Sequence, residues 1–195
     1  MTRGMAGWPA PLTRAHVWSV GGVAMPPVAA NRFLYPEGPS ASLVMAEATL
    51  YLAPIFLPAG QEWDQLTLDI SGGGASGAVI RAGVWLPGAD DTTPILHTDA
   101  GTVAAETIVA RTWTIALSGV AGLVYVGCAC QGAAASRPTV RAAGADRSPF
   151  ISGSAAAHAN AVALGQGSVS GAFGPTASAT FAQASVPLLG IRRKA

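Results

Sequence analysis

Leu66-Thr67-Leu68-Asp69-Ile70 alternates apolar and polar residues without a break, and Trp113-Thr114-Ile115-Ala116-Leu117 does the same further along. A period of two sends successive side chains to opposite faces of a strand, one set into a core and the other towards solvent or a second layer. Both pentads lie in a longer run, Thr49 to Gly132, cut by Gly, Pro and Asp turns. Strands separated by turn signals every eight to twelve residues or so mark a sandwich or a barrel.

Working outward, Thr49 to Phe56 reads as a strand, and Pro54 inside it requires an edge or a bulge. Trp63 to Ile70 follows, with Leu66, Leu68 and Ile70 inward. Ala78 to Leu86 puts Ile80, Ala82 and Val84 on one face and Arg81, Gly83 and Trp85 on the other. Pro94 to Leu96 and Gly101 to Ala104 read as two short strands parted by His97-Thr98-Asp99-Ala100. Thr107 to Leu117 and Gly122 to Gln131 are longer. In the latter, Val124, Val126, Cys128 and Cys130 alternate against Leu123, Tyr125, Gly127 and Ala129.

The flanks are less regular. Residues 1–39 carry Pro9, Pro11, Pro26, Pro27, Pro36 and Pro39 together with Trp8, Trp18, Phe33 and Tyr35. Proline at that spacing excludes a long helix and favours extended chain. The aromatics point to an arm that docks on a larger assembly or a neighbouring subunit. Asn31 to Leu34 and Leu43 to Ala46 read as short strands around the Pro36-Glu37-Gly38-Pro39 turn. After Gly132 a strand is expected at Pro138 to Ala142, then an Ala-rich segment, Ala155 to Leu164, with the propensity for one or two helical turns. The small-residue tract Gln166 to Ala184 suits close approach between chains. A closing strand is expected at Val186 to Ile191, followed by a solvated basic tip, Arg192-Arg193-Lys194. The expected division is an arm over 1–39 and a β-sandwich domain over 40–195.

Composition narrows the function classes. Charged residues are 11% of 195, against roughly 25% in ordinary soluble domains. The net charge of +1 offers no footprint for nucleic acid. The uncharged stretch Thr112 to Ser136 is long enough to span a bilayer. It breaks into two β-patterned halves at Ser118-Gly119, so no membrane insertion is expected. The apolar segment Ala15 to Ala30 resembles a secretory leader in outline, but Gly21-Gly22 and Pro26-Pro27 interrupt it and no such leader is expected.

Chemistry is sparse. Gly72 to Gly77 follows a strand, yet a β-patterned segment without Lys comes next, so it is a loop and not a phosphate cradle. His16, His97 and His158 lie far apart, and there is no Gly-x-Ser-x-Gly elbow. Cys128 and Cys130 share a strand face; neighbours so placed make a poor disulfide and, without further ligands, a poor zinc site. They read as small buried hydrophobes. We expect no catalytic residues, no metal ligands and no cofactor. Asp90, Asp91 and Asp99 border one loop system, as turn formers or as oxygen ligands for Ca²⁺. Trp85 is the aromatic candidate for stacking on a sugar ring, or for packing in a second layer or interface. Trp85, Asp90 and Asp91 are therefore the candidate glycan-binding residues.

Several segments taken in order carry a resemblance. They are Leu50 to Phe56, Trp63 to Leu66, Val79 to Trp85, Asp99 to Val103 and Gly122 to Tyr125, ending at Gln131-Gly132. With Tyr35-Pro36-Glu37-Gly38 before and Pro138-Thr139-Val140-Arg141 after, the series resembles a β-sandwich module of tailed-bacteriophage and prophage virion proteins. The resemblance covers Tyr35 to Ala142, and its order carries it more than any one motif. It implies a minor tail protein, tail fibre or spike, or head fibre. Such a protein sits on the virion surface, is made in the host cytoplasm, is often a trimer, and in some cases binds host-surface polysaccharide. No long shaft or depolymerase domain accompanies the module, which points to an accessory piece attached to other virion proteins through its arm.

The expectation is thus an all-β protein: an antiparallel, jelly-roll-like β-sandwich with an extended Pro/Gly-rich N-terminal arm and a structural, non-enzymatic role. A stand-alone carbohydrate-binding module is the alternative, and a glycan hydrolase, with two convergent carboxylates, a third.

Overall fold

The computed structural model describes residues 27–35, 41–88, 93–133, 135–143, 163–166, 168–177, 180–182 and 185–195. Thirteen strands run through these residues, with no helix among them. They are β1 (Phe33–Leu34), β2 (Ala41–Val44), β3 (Leu50–Leu57), β4 (Trp63–Gly72), β5 (Val79–Leu86), β6 (Ile95–Ala104) and β7 (Ala110–Leu117). Then come β8 (Gly122–Gln131), β9 (Thr139–Ala143), β10 (Ala163–Gln166), β11 (Thr180–Ala182), β12 (Val186–Pro187) and β13 (Gly190–Arg193).

The pairings give two antiparallel sheets. One contains the order β2-β9-β4-β7, the other β3-β8-β5-β6. Strands that are consecutive in sequence cross repeatedly between the sheets, which makes the eight strands β2 to β9 a two-sheet jelly roll. The remaining strands extend it. β13 pairs with the first half of β4, and β1 with β13. β12 adds to β9, and β10 and β11 continue the second sheet beyond β3.

Alternation explains the core. Leu66, Leu68 and Ile70 of β4, Ile80, Ala82 and Val84 of β5, Trp113, Ile115 and Leu117 of β7, and Val124, Val126, Cys128 and Cys130 of β8 all point between the sheets. Cys128 and Cys130 are free and fully buried. Pro54 pairs with Tyr125 of β8, while on its other side β10 covers only Leu50 to Leu52. Among the described residues Pro54 therefore lies at a local edge, the place in a sheet that tolerates proline.

Several expectations change, and the closing strand expected at Val186 to Ile191 is divided between β12 and β13. Pro94 to Leu96 and Gly101 to Ala104 belong to one strand, β6. Register shifts at Ala82/Gly83 and Val84/Trp85 absorb the irregular residues between them, and Gly101 takes a φ of 79°, which suits glycine. β7 starts at Ala110 and not at Thr107, because residues 105–109 form the connection from β6. Leu164, expected at a helical turn, lies in β10; residues 155–162 fall outside the described residues. No helix among the described residues is long and apolar enough to cross a membrane.

Both ends of the described chain are tied to the sandwich. Within the arm, Val28 packs against the core and its carbonyl accepts from Gln61 Nε2 (3.3 Å) and from Arg193 Nη1. Residues 1–26 and 36–40 lie outside the described residues. The basic tip is not simply solvated. Arg192 makes a two-pronged ion pair with Asp64 (2.9 and 3.0 Å), and Lys194 Nζ reaches Glu62 (2.8 Å).

Candidate functional site

The alternation that fills the core also sends a second apolar set out of the far face of the β3-β8-β5-β6 sheet. Leu50, Leu52, Trp85, Tyr125 and Ala129 form a separate cluster there. Gly83 and Gly127 are directly opposed in the β5–β8 ladder. A Cβ on Gly127 would sit 3.0 Å from Trp85 Cζ3, 2.7 Å from the Tyr51 carbonyl oxygen and 2.5 Å from Leu52 Cδ2; one on Gly83 would sit 3.1 Å from Trp85 Cη2. The glycine pair is the floor on which the indole rests.

Residues 168–177 lie over this face as a strap. Only Val169, Phe173 and Ala177 of the strap are buried, at a spacing of four. The Phe173 ring meets Trp85 edge-on at 4.8 Å between centroids, an arrangement worth roughly 1 kcal/mol beyond the area it buries. The Arg81 guanidinium lies 5.6 Å from the Phe173 ring centre. Both ends of the strap are hydrogen-bonded. Val169 N–H donates to the Ala48 carbonyl (2.7 Å), Leu96 N–H to Pro175 (2.8 Å) and Ala177 N–H to Pro94 (2.9 Å). Gln131 Nε2 donates to the Val169 and Gly171 carbonyls (3.1 and 2.7 Å).

Asp99 locks this corner. Arg81 Nε and Nη2 donate to its carboxylate at 2.7–3.0 Å. The Gly101 and Phe173 N–H groups donate to it as well, at 3.0 and 3.4 Å. Burial pushes the Asp99 carboxyl up, but the Arg81 hydrogen bonds, the two backbone donors and the Arg81 charge outweigh it, so its pKa lies below the ordinary value.

No protein-family model and no curated protein matches the chain.

Each residue picked from the sequence now has a place. Trp85 is 1% exposed. Its second-layer reading holds, and it offers no open ring face to a sugar. Asp90 and Asp91 lie in the β5–β6 connection, outside the described residues. Asp99 is committed to Arg81 and is not an open oxygen ligand. Among the described residues no three His, Cys, Asp or Glu side chains gather as a metal site would require. His97 is exposed beside Thr98, 2.8 Å between Nδ1 and Oγ1; His16 and His158 are outside the described residues.

The second cluster of ionisable groups sits at the core margin. Glu47 Oε2 accepts from the Ala133 N–H (3.0 Å) and from the Cys130 thiol (3.7 Å). Burial, then the Glu47 charge and its hydrogen bond, push the Cys130 thiol up to about 12. Burial and the neighbouring Cys130 raise Cys128 as well. Both thiols are protonated and unreactive at neutral pH.

Phe173 and the glycine pair were not singled out from sequence, and Asp99 was read as a turn former or an oxygen ligand, not as the partner of Arg81. Arg81, Gly83 and Trp85 did share a face in the pattern, and a large ring beside a glycine on one face was the available hint. The strap's placement had no local signal, because it depends on pairing residues nearly a hundred positions apart.

Proposed function

We propose that the chain is a structural component of a phage or phage-like particle, a minor tail or fibre piece, acting without catalysis. The observation that carries this reading is the jelly roll built by β2 to β9. It spans the segments that resemble virion modules, and the same architecture recurs in viral coat and lectin domains. That is a fold-level analogy, and fold alone does not fix function. Attachment to other virion proteins is assigned to the N-terminal arm, and self-association, with three copies as the resemblance implies, to the sandwich.

Recognition of host-surface polysaccharide belongs to the same proposal. Trp85 is covered by Phe173, which disfavours the reading as a stand-alone module with an open aromatic platform. The connection carrying Asp90 and Asp91 is where glycan contact is to be sought.

Mass spectrometry of gradient-purified particles tests the reading. The chain is expected to co-sediment with the major virion proteins in a fixed ratio, and a version lacking residues 1–26 to be lost from them. A chain found only in the unassembled fraction would contradict it.

A further inference from the structure

Residues 28–35 form the root of the N-terminal arm. With one exception, the hydrogen bonds that tie them to the sandwich among the described residues run to a single strand, β13. Phe33 of β1 opposes Arg192, and Leu34 opposes Ile191. Asn31 N–H donates to the Arg193 carbonyl and Arg193 N–H to the Arg32 carbonyl, both at 3.0 Å. The Val28 carbonyl takes two donors: Arg193 Nη1 from β13 and, as the exception, Gln61 Nε2 (3.3 Å) from the β3–β4 connection. At the far end of the root, Tyr35 lies on Gly190, where a Cβ would fall 2.5 Å from Tyr35 Cε1. A glycine in a strand is what permits so close an approach.

β13 is itself held on its other side. It pairs with β4 from Gly190 opposite Thr67 to Arg193 opposite Trp63, and Ile191 is fully buried in the core. Lys194 N–H donates to the Glu62 carbonyl (2.9 Å). The Arg192–Asp64 and Lys194–Glu62 ion pairs join the same two segments; pairs this exposed contribute little each, but they agree with the register. β4 in turn has β7 on its opposite side. A strand of two residues, such as β1, is too short to hold itself in a sheet, so the root depends on its partner.

We propose that β13 is a clasp for the N-terminal arm: it fixes residues 28–35 against the sandwich, so that the arm starts from one place and a load on it passes through β13 into β4. Arg193 is the centre of the clasp. Its N–H, its carbonyl and its guanidinium hold three different residues of the root, Arg32, Asn31 and Val28. Without Arg193 the root keeps the Gln61 bond, the two pairs of β1 and the packing of Val28 and Leu34 on the core. Attachment through the arm is then sensitive to a strand that lies about 160 residues away in sequence, since Arg193 and Val28 are 165 positions apart. What the arm binds rests on the reading as a virion component; the clasp itself does not.

The test uses the full-length chain, free in solution. Arg32 is the sole Lys or Arg between Arg14 and Arg81, so tryptic cleavage there yields a distinct fragment beginning at Phe33. Cleavage is expected to be slow in the wild type, because the bond lies inside the clasp. Removing residues 193–195 takes three hydrogen bonds from the root and is expected to raise the cleavage rate by about tenfold or more, with an unchanged circular dichroism spectrum. Arg193→Ala keeps the backbone bonds and is expected to raise the rate by roughly threefold; it decides alone where the shortened chain loses that spectrum. Cleavage at the wild-type rate in the folded variants overturns the proposal, since Val28 and Leu34 would then hold the root by packing. Rapid cleavage of the wild type at Arg32 overturns it too. No particle enters the test, so it can succeed or fail separately from the virion reading.

Discussion

Gly127 shows how one missing carbon can fix a layer. Its Cβ would fall 2.7 Å from a backbone oxygen and 2.5 Å from Leu52, and the backbone cannot give way. Gly127→Ala is therefore expected to cost about 2 kcal/mol, within the range for overpacking. Gly171→Ala on the strap, where nothing lies within 4 Å, should change little; urea denaturation of the two variants compares them. The thiols make a second residue-scale case. Cys128 and Cys130 should resist a thiol reagent at neutral pH until the protein is unfolded. Because Cys130 is raised from its ordinary 9.0 to about 12, the unfolded chain gains by ionising while the folded one does not. Stability should thus fall as pH rises from 9 towards 12. Equal labelling of the folded and unfolded chains would contradict the burial.

At the scale of elements, the strap is the part that links sheet, ion pair and aromatic cluster. Phe173→Ala removes its main anchor and should cost about 3 kcal/mol, typical of a buried phenylalanine, with Trp85 emission moving to the red as water reaches the indole. Asp99 has a lowered pKa, so its contribution is complete above the ordinary carboxylate range and is lost as pH falls through the folded value. The stability gap between the wild type and Asp99→Asn should therefore close in acid; a gap unchanged down to strong acid would show that the Arg81 contact contributes nothing. Elements with strict alternation were legible from sequence. β8 runs over the expected residues, and β4 extends its expected run by two, to Gly72. β6 was not, because Asp99 and Gly101 carry turn chemistry that here serves irregular pairing inside a strand. The strap was legible only as a small-residue tract suited to chain–chain contact. Three apolar residues at a spacing of four, without a helix or a strand, match no periodic template.

For the whole molecule, alternation implied two layers, and the order β2-β9-β4-β7 over β3-β8-β5-β6 is the particular solution. Which strand pairs with which was not readable, since pairing is non-local. The candidate site fared differently: Trp85 was correctly placed on the outer face, but what covers it was not foreseen. The molecule is thus a sandwich whose outer aromatic face is already occupied by its own chain. The most direct measurement is electron microscopy of purified particles decorated with gold-labelled antibody against this chain. The account predicts gold at a fixed position on the virion surface; particles that contain their full set of major proteins yet bind no gold would contradict it.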